Sequence, residues 1–268
     1  MSYFEYNDGK GVVPEGVFRI SPSGLSRFFD DTAKWYRENL LGEEGFTGST
    51  STALGTCVHA GAEMYVKEGT VHHDQILRYI DSLPSDYDKF YIKEQYPIML
   101  DALIDQYISS NMPEETELFL AQELSENVWV GGSIDSIIGS RIVDYKTTSS
   151  KTLPTTVNRA YWFQQVTYAW LARKHGYTID SFRLVYITVN DTGRISEKTG
   201  KPLKDYPSRV HEINYVITDS DMDIIDNTLK LISESVETWY KQPELRHLLA
   251  QDMRLAPKRK PRLFINKG

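Results

Sequence analysis

Cysteine is nearly absent: Cys57 is the only one in 268 residues. This excludes an internal disulfide, and any zinc or iron–sulfur site built from several cysteines of the chain. No stretch approaches the roughly 18–20 consecutive apolar residues that a bilayer span requires. Residues 1–13 lack a basic segment leading into an apolar core, so no secretory signal is expected and an intracellular, cytoplasmic setting fits. There is no G-x-x-x-x-G-K-[ST] loop, which argues against a motor that hydrolyses ATP. No internal repeat or low-complexity segment is evident. Positive charge is scarce as well, with 30 basic against 37 acidic residues and a net of −7. Six of the cations (Arg254, Lys258, Arg259, Lys260, Arg262 and Lys267) lie in the last fifteen residues, where no acid occurs. The preceding 253 residues therefore carry a net of −13. An acidic body with a basic tail is not the profile of a protein that coats DNA. It does suit an enzyme that gathers carboxylates around metal ions.

What the chain has is an ordinary globular composition, 40% hydrophobic and 25% charged. Ser21 and Pro22 read as the start of a helix in which Leu25, Phe28, Phe29, Thr32, Trp35, Tyr36 and Leu40 recur at helical spacing. The Gly-, Ser- and Thr-rich residues 42–52 read as a mobile loop. Helices are expected over about 53–68, 74–83 and 87–110. After Pro113 the pattern changes to strands over 118–121, 128–138 and 141–147. An aromatic-rich helix over 158–174 follows, then strands over 182–189 and 210–217 separated by a polar loop. The last helix, over 219–240, is expected to take Asp or Ser as its cap. This order predicts an α/β or α+β sheet with helices packed on it.

The chemistry concentrates in residues 130–147. Gly139-Ser140 suits a type II′ hairpin turn between two β-rich runs. With that loop, facing residues sum to 279, so Asp135 is expected to face Asp144 directly. Opposed Cβ atoms stand about 4.5–5.5 Å apart. Lys146, two residues on, shares the face of Asp144. Two adjacent carboxylates among Ile134, Ile137, Ile138, Ile142 and Val143 repel each other at a cost. A hard divalent cation, Mg²⁺ or Mn²⁺, would relieve that repulsion. A solvated sheet edge, or a plain Asp144–Lys146 salt bridge, would account for the same residues.

Asp135 followed by Asp144-Tyr145-Lys146 resembles the D…(D/E)xK signature of the PD-(D/E)XK nuclease superfamily. Further segments resemble its RecB-like exonuclease branch: Ser21 to Leu25 (S-P-S-x-L), Gly55 to His59 (G-T-x-x-H), Gly132 to Asp135 (G-x-I-D), Ile142 to Thr147 (I-V-D-Y-K-T), and Gln164 to Tyr168 (Q-x-x-x-Y). The resemblance implies an α/β fold: a central mixed sheet of the restriction-endonuclease-like core, flanked by helices, with a helical N-terminal part. It implies one nuclease domain over 1–268, with that helical part at 20–112, the α/β core at 115–240 and the basic tail at 254–268. It also implies Asp135, Asp144 and the Tyr145 carbonyl as ligands of Mg²⁺ or Mn²⁺, with His59 as a further or nearby ligand. Lys146 would position or activate the attacking water. Gln164 and Tyr168 would hold the DNA strand, with Gln165 near enough in register to share the glutamine role. Many relatives carry an iron–sulfur cluster, whereas this chain lacks the cysteines for one and resembles a cluster-free relative of the AddB and CRISPR-associated exonucleases.

The expected activity is a metal-dependent DNA exonuclease serving recombination, repair or phage DNA metabolism, in the host cytoplasm if phage-encoded. The alternatives are a structure-selective or flap endonuclease, and a non-catalytic DNA-binding protein with the same fold. DNA ends or single strands are the expected partner, with a recombination or single-strand-binding protein as a candidate second partner. Lys151 and the tail are candidate DNA contacts. Glu63, one turn after His59, and Glu123 are further candidates near the metal. His72 and His73 read as surface residues. The aromatics of residues 161–170 suit either base stacking or core packing.

Overall fold

The computed structural model describes residues 12–42, 48–196 and 198–242. The expected basic tail, and residues 43–47 of the expected loop, lie outside these. Six strands form one mixed sheet: β1 (Phe18–Ile20), β2 (Glu115–Ser125), β3 (Val128–Ile138), β4 (Arg141–Thr148), β5 (Ser181–Thr188) and β6 (Val210–Val216). β3 pairs with β2 antiparallel along nearly its whole length. Its other edge pairs in parallel with β1 through Val128–Val130, and antiparallel with β4 through Ser136–Ile138. β4 then pairs in parallel with β5, and β5 antiparallel with β6.

Helices cover both faces of this sheet: α1 (Leu25–Asp30), α2 (Thr32–Leu40), α3 (Thr50–Glu68), α4 (His73–Ser82), α5 (Lys89–Gln106), α6 (Arg159–Lys174) and α7 (Asp219–Lys241). The period-2 alternation of the strands assigns the faces. Ile142, Phe182, Leu184 and Tyr186 pack with α1, α2, α6 and α7, while Val143, Tyr145, Val185 and Ile187 pack with α3, α4 and α5. The result is an α/β/α sandwich, with the N-terminal helices divided between its two outer layers. Among the described residues no helix is long and apolar enough to cross a membrane.

The turn at Gly139 forms as expected, with φ +57° there and Ile138 paired to Arg141. Three expectations need correction. The helix expected from Ser21 is a 3-10 turn at Pro22–Gly24 followed by two helices. It breaks at Asp31, whose side chain accepts the Lys34 N–H and so caps α2. The cap of α7 is Thr218, which forms a reciprocal capping box with Asp221. Finally, Asp135 and Asp144 are not ladder partners. The 279 register holds, but the ladder ends at Ser136 and Val143 because β4 turns away to follow β5.

Candidate metal centre

Where β3 and β4 part, the backbone of each loses its neighbour, and unpaired buried N–H groups are costly. The Asp135 side chain answers this by accepting the Tyr145 N–H at 2.9 Å. The parting also lets groups from the two outer layers meet. From one layer, α3 sends His59 to the Tyr145 carbonyl, Nε2 to O 2.9 Å. A carbonyl only accepts, so Nε2 carries a proton, which leaves Nδ1 as the ring atom that can face a metal ion. Nδ1 stands 3.4 Å from Asp135 Oδ2. One turn earlier, Gly55 lets α3 approach closely: a Cβ there would stand 3.2 Å from Thr147 Oγ1 of β4. The glycine and histidine of G-T-x-x-H thus act together, clearance first and donor one turn later.

A third donor comes from β2. Thr116 and Leu118 pair with Ser136 and Ile134, which leaves Glu117 opposite Asp135. Glu117 has φ +49°, and it is the only non-glycine residue with positive φ among those described. That conformation costs about 1–2 kcal/mol for a residue with a Cβ. It brings a carboxylate oxygen into a group with His59 and Asp135 whose donor atoms all lie within 4.8 Å of one another. Burial, then the charges of Asp135, Glu63 and Asp144, push the Glu117 carboxyl up to about 8.

The other layer supplies the neighbouring group. Asp144 and Lys146 alternate with Val143 and Tyr145 and so face α6. Lys146 Nζ lies 2.7 Å from Asp144 Oδ2 and donates to Oδ1 at 3.0 Å. It also reaches Gln164 Oε1 at 3.4 Å and lies 4.9 Å from the Tyr161 ring centroid. Burial alone would lower the Lys146 pKa, but the charges of Asp144 and Asp135 outweigh it and raise it. Burial raises the Asp144 pKa despite the attraction of Lys146. Gln164 is hydrogen-bonded in turn to the Tyr168 hydroxyl, one helical turn on. Gly132 makes room for that tyrosine: a Cβ there would stand 3.2 Å from both Tyr168 Oη and Pro22 Cδ.

His59, Glu117 and Asp135 therefore converge within 4.8 Å, and the Asp144–Lys146 ion pair adjoins them. Asp144 Oδ2 is buried and accepts no well-aligned hydrogen bond. An excess of converging carboxylate oxygens, with an imidazole nitrogen among them, fits a divalent cation.

The sequence candidates divide accordingly. His59 and Asp135 fall in one cluster, with the Tyr145 carbonyl beside them. Asp144, Lys146, Gln164 and Tyr168 form the adjoining chain of contacts. Gln165 is fully buried, and its amide has no hydrogen-bond partner. Lys151 lies beyond the end of β4, 2.5 Å from Asp191. Glu63 pairs with Lys67 at 2.5 Å, and its charge is felt at Glu117. Glu123 instead lines a cavity of about 670 Å³ between β2, α6 and α7. His72 pairs with Glu68 and His73 with Tyr96. Phe163, Tyr168 and Trp170 belong to the core. Glu117 is absent from the sequence candidates. The apolar run that marks β2 in the sequence begins only at Leu118, one residue after it.

A family model described as the PD-(D/E)XK nuclease superfamily matches residues 19–260. The chain belongs to the PD-(D/E)XK nuclease superfamily. The parted strands, and the acidic cluster beside an Asp-x-Lys strand, lie within the matched residues. No functionally curated protein matches the sequence. Among solved structures, the chain is similar to a candidate exonuclease of Eubacterium rectale, at 17% identity and a TM-score of 0.53, over 88% of this chain and 83% of the other. It also matches a phage-related exonuclease of Haemophilus somnus 129PT, at 11% identity and a TM-score of 0.42, over 82% and 97%. A third match is an alkaline exonuclease of Laribacter hongkongensis, at 12% identity and a TM-score of 0.36, over 73% and 98%. The first shares the fold; the other two likenesses are too distant to bear on this chain.

Proposed function

We propose that this PD-(D/E)XK protein is a Mg²⁺- or Mn²⁺-dependent DNA exonuclease that works as one nuclease domain in DNA end processing. The observation that carries this is the convergence of His59, Glu117 and Asp135 within 4.8 Å, next to the Asp144–Lys146 pair. His59 Nδ1, the Glu117 and Asp135 carboxylates, Asp144 Oδ2 and the Tyr145 carbonyl are the donors available to the ion. A divalent ion held there would lower the pKa of water and offset charge on the phosphate. Lys146 is held by Asp144 and Gln164 as a fixed cation, so it can stabilise developing negative charge without reorganising. Tyr168 steadies Gln164 and through it the lysine. The charge of Asp144 and Asp135 raises the pKa of that lysine, which favours its ammonium form and an electrostatic role. Such a site would serve recombination, repair or phage DNA metabolism.

The test compares end-labelled linear DNA with covalently closed circles, with and without Mg²⁺. Shortening of linear DNA while circles persist supports the exonuclease. Cutting of the circles would replace it with an endonuclease at the same site.

A further inference from the structure

Beyond the metal cluster, the C-terminal ends of β4 and β5 open into a second cleft of about 400 Å³. The cleft begins level with Thr188, which pairs with Thr148, two residues past Lys146. At the rise of a strand this is about 7 Å from the lysine. One wall is the loop after β4, Ser149 to Lys151. The other comes from residues 191–196 and 198–206, brought together by bridges Asp191–Tyr206 and Ile195–Pro202.

The chemistry of this cleft differs from the rest of the acidic chain. Lys151, Lys204 and Arg209 line it against Asp191 and Asp205. Both carboxylates have structural duties. Asp205 accepts the Gly193 N–H and closes the excursion. Asp191 binds Lys151 at 2.5 Å and Arg194 at 3.0 Å, so it fixes two cations and leaves the pair of them with net positive charge. Both Lys151 and Lys204 lie over the ring of Tyr206, at 4.3 and 5.1 Å from its centroid. Each ammonium group gains a cation–π contact there, which limits the motion of two otherwise flexible side chains at the wall of the cleft. The hydroxyls of Ser149, Ser150 and Thr188 add neutral hydrogen-bonding partners. Anchored cations with hydroxyls, on the path that leaves Lys146, suit a polyanionic strand.

We propose that this cleft binds the phosphate backbone of the DNA strand next to the metal site, gripping phosphates on the side of Lys146 away from His59. The proposal rests on the nuclease reading and adds to it the place where an acidic enzyme gains its hold on DNA.

The test measures binding of a fluorescent single-stranded oligonucleotide by anisotropy, with Ca²⁺ in place of Mg²⁺, across salt from about 50 to 200 mM. Lys204→Ala combined with Arg209→Ala removes two exposed cations and gives up only the Lys204 contact with the Tyr206 ring. The expected result is about tenfold weaker binding and a salt slope shallower by about 1.4, the share of two phosphate contacts on a single strand. Affinity for the metal should not change. Lys230→Ala combined with Lys241→Ala, on α7, removes the same charge elsewhere and should leave the slope as it is. Unchanged affinity and slope in the cleft variant would overturn the proposal, as would an equal loss in the α7 variant, which would reduce the effect to net charge. A wild-type protein that binds no DNA at all would overturn the nuclease reading itself, and this shows before any variant is compared.

Discussion

Glu117→Gln isolates the cost of crowding carboxylates at the metal centre. Glutamine keeps the shape of the side chain and the same left-handed backbone, so conformational strain cancels in the comparison. Only the charge is lost. The folded protein holds the Glu117 proton until about 8, against an ordinary 4.5. Between those values the metal-free folded state binds a proton that the unfolded chain has released, so stability falls as pH rises. At pH 8 the accumulated penalty has an upper limit of about 4 kcal/mol, taking ~1.36 kcal/mol per pKa unit. Below about pH 4.5 it vanishes. Urea denaturation in EDTA should therefore find Glu117→Gln more stable than wild type at pH 8 by a few kcal/mol, and equal to it near pH 4.5. Adding Mn²⁺ at pH 8 should reverse the order, because wild type gains a ligand for the ion and the variant does not. If metal-free wild type is the more stable at pH 8, or if metal stabilises both proteins equally, Glu117 does not belong to the cluster.

Lys146→Met should keep metal affinity, measured by calorimetry, while cleavage falls by about 10²–10³-fold, the usual loss when one electrostatic stabiliser is removed. Equal loss of metal affinity would make the lysine structural. Gly55→Ala improves helix propensity by about 1 kcal/mol. Its new Cβ would nonetheless press on Thr147 Oγ1, so metal affinity should drop while the melting temperature holds or rises. Unaltered metal affinity would show that α3 has slack to spare. Deleting residues 257–268 removes five cations. If the tail grips DNA, the salt slope flattens for all sequences alike and turnover on saturating DNA survives; an unchanged slope leaves retention to the cleft beyond β4.

Much of the fold was legible because its signals are local. The alternating apolar strands and the Gly139-Ser140 turn set the ends of β3 and β4, and the register near the turn was right. The exit of β4 toward β5 was not legible, because it depends on a competing partner forty residues away. That exit turns the expected Asp135–Asp144 facing pair into two separate groups joined through the Tyr145 backbone. β1 escaped because three residues, Phe18–Ile20, carry no periodicity to detect. The site showed the same division. His59, Asp135, Asp144 and Lys146 were visible through spaced motifs, and the structure adds the reason for their glycines. Glu117 was hidden because a charged residue with positive φ runs against strand propensity. Gln165 looked equivalent to Gln164 in sequence, but one step around a helix separates a residue beside Lys146 from one in the core.

The most direct test of the central claim is a cleavage assay on end-labelled linear DNA, run on wild type and on Asp135→Asn in EDTA, Mg²⁺ and Mn²⁺. A divalent-ion site built on Asp135 predicts shortening of the label by wild type in Mg²⁺ or Mn²⁺, no product in EDTA, and no product from the variant under any condition. Undiminished cleavage in EDTA, or by Asp135→Asn in Mg²⁺, would contradict it.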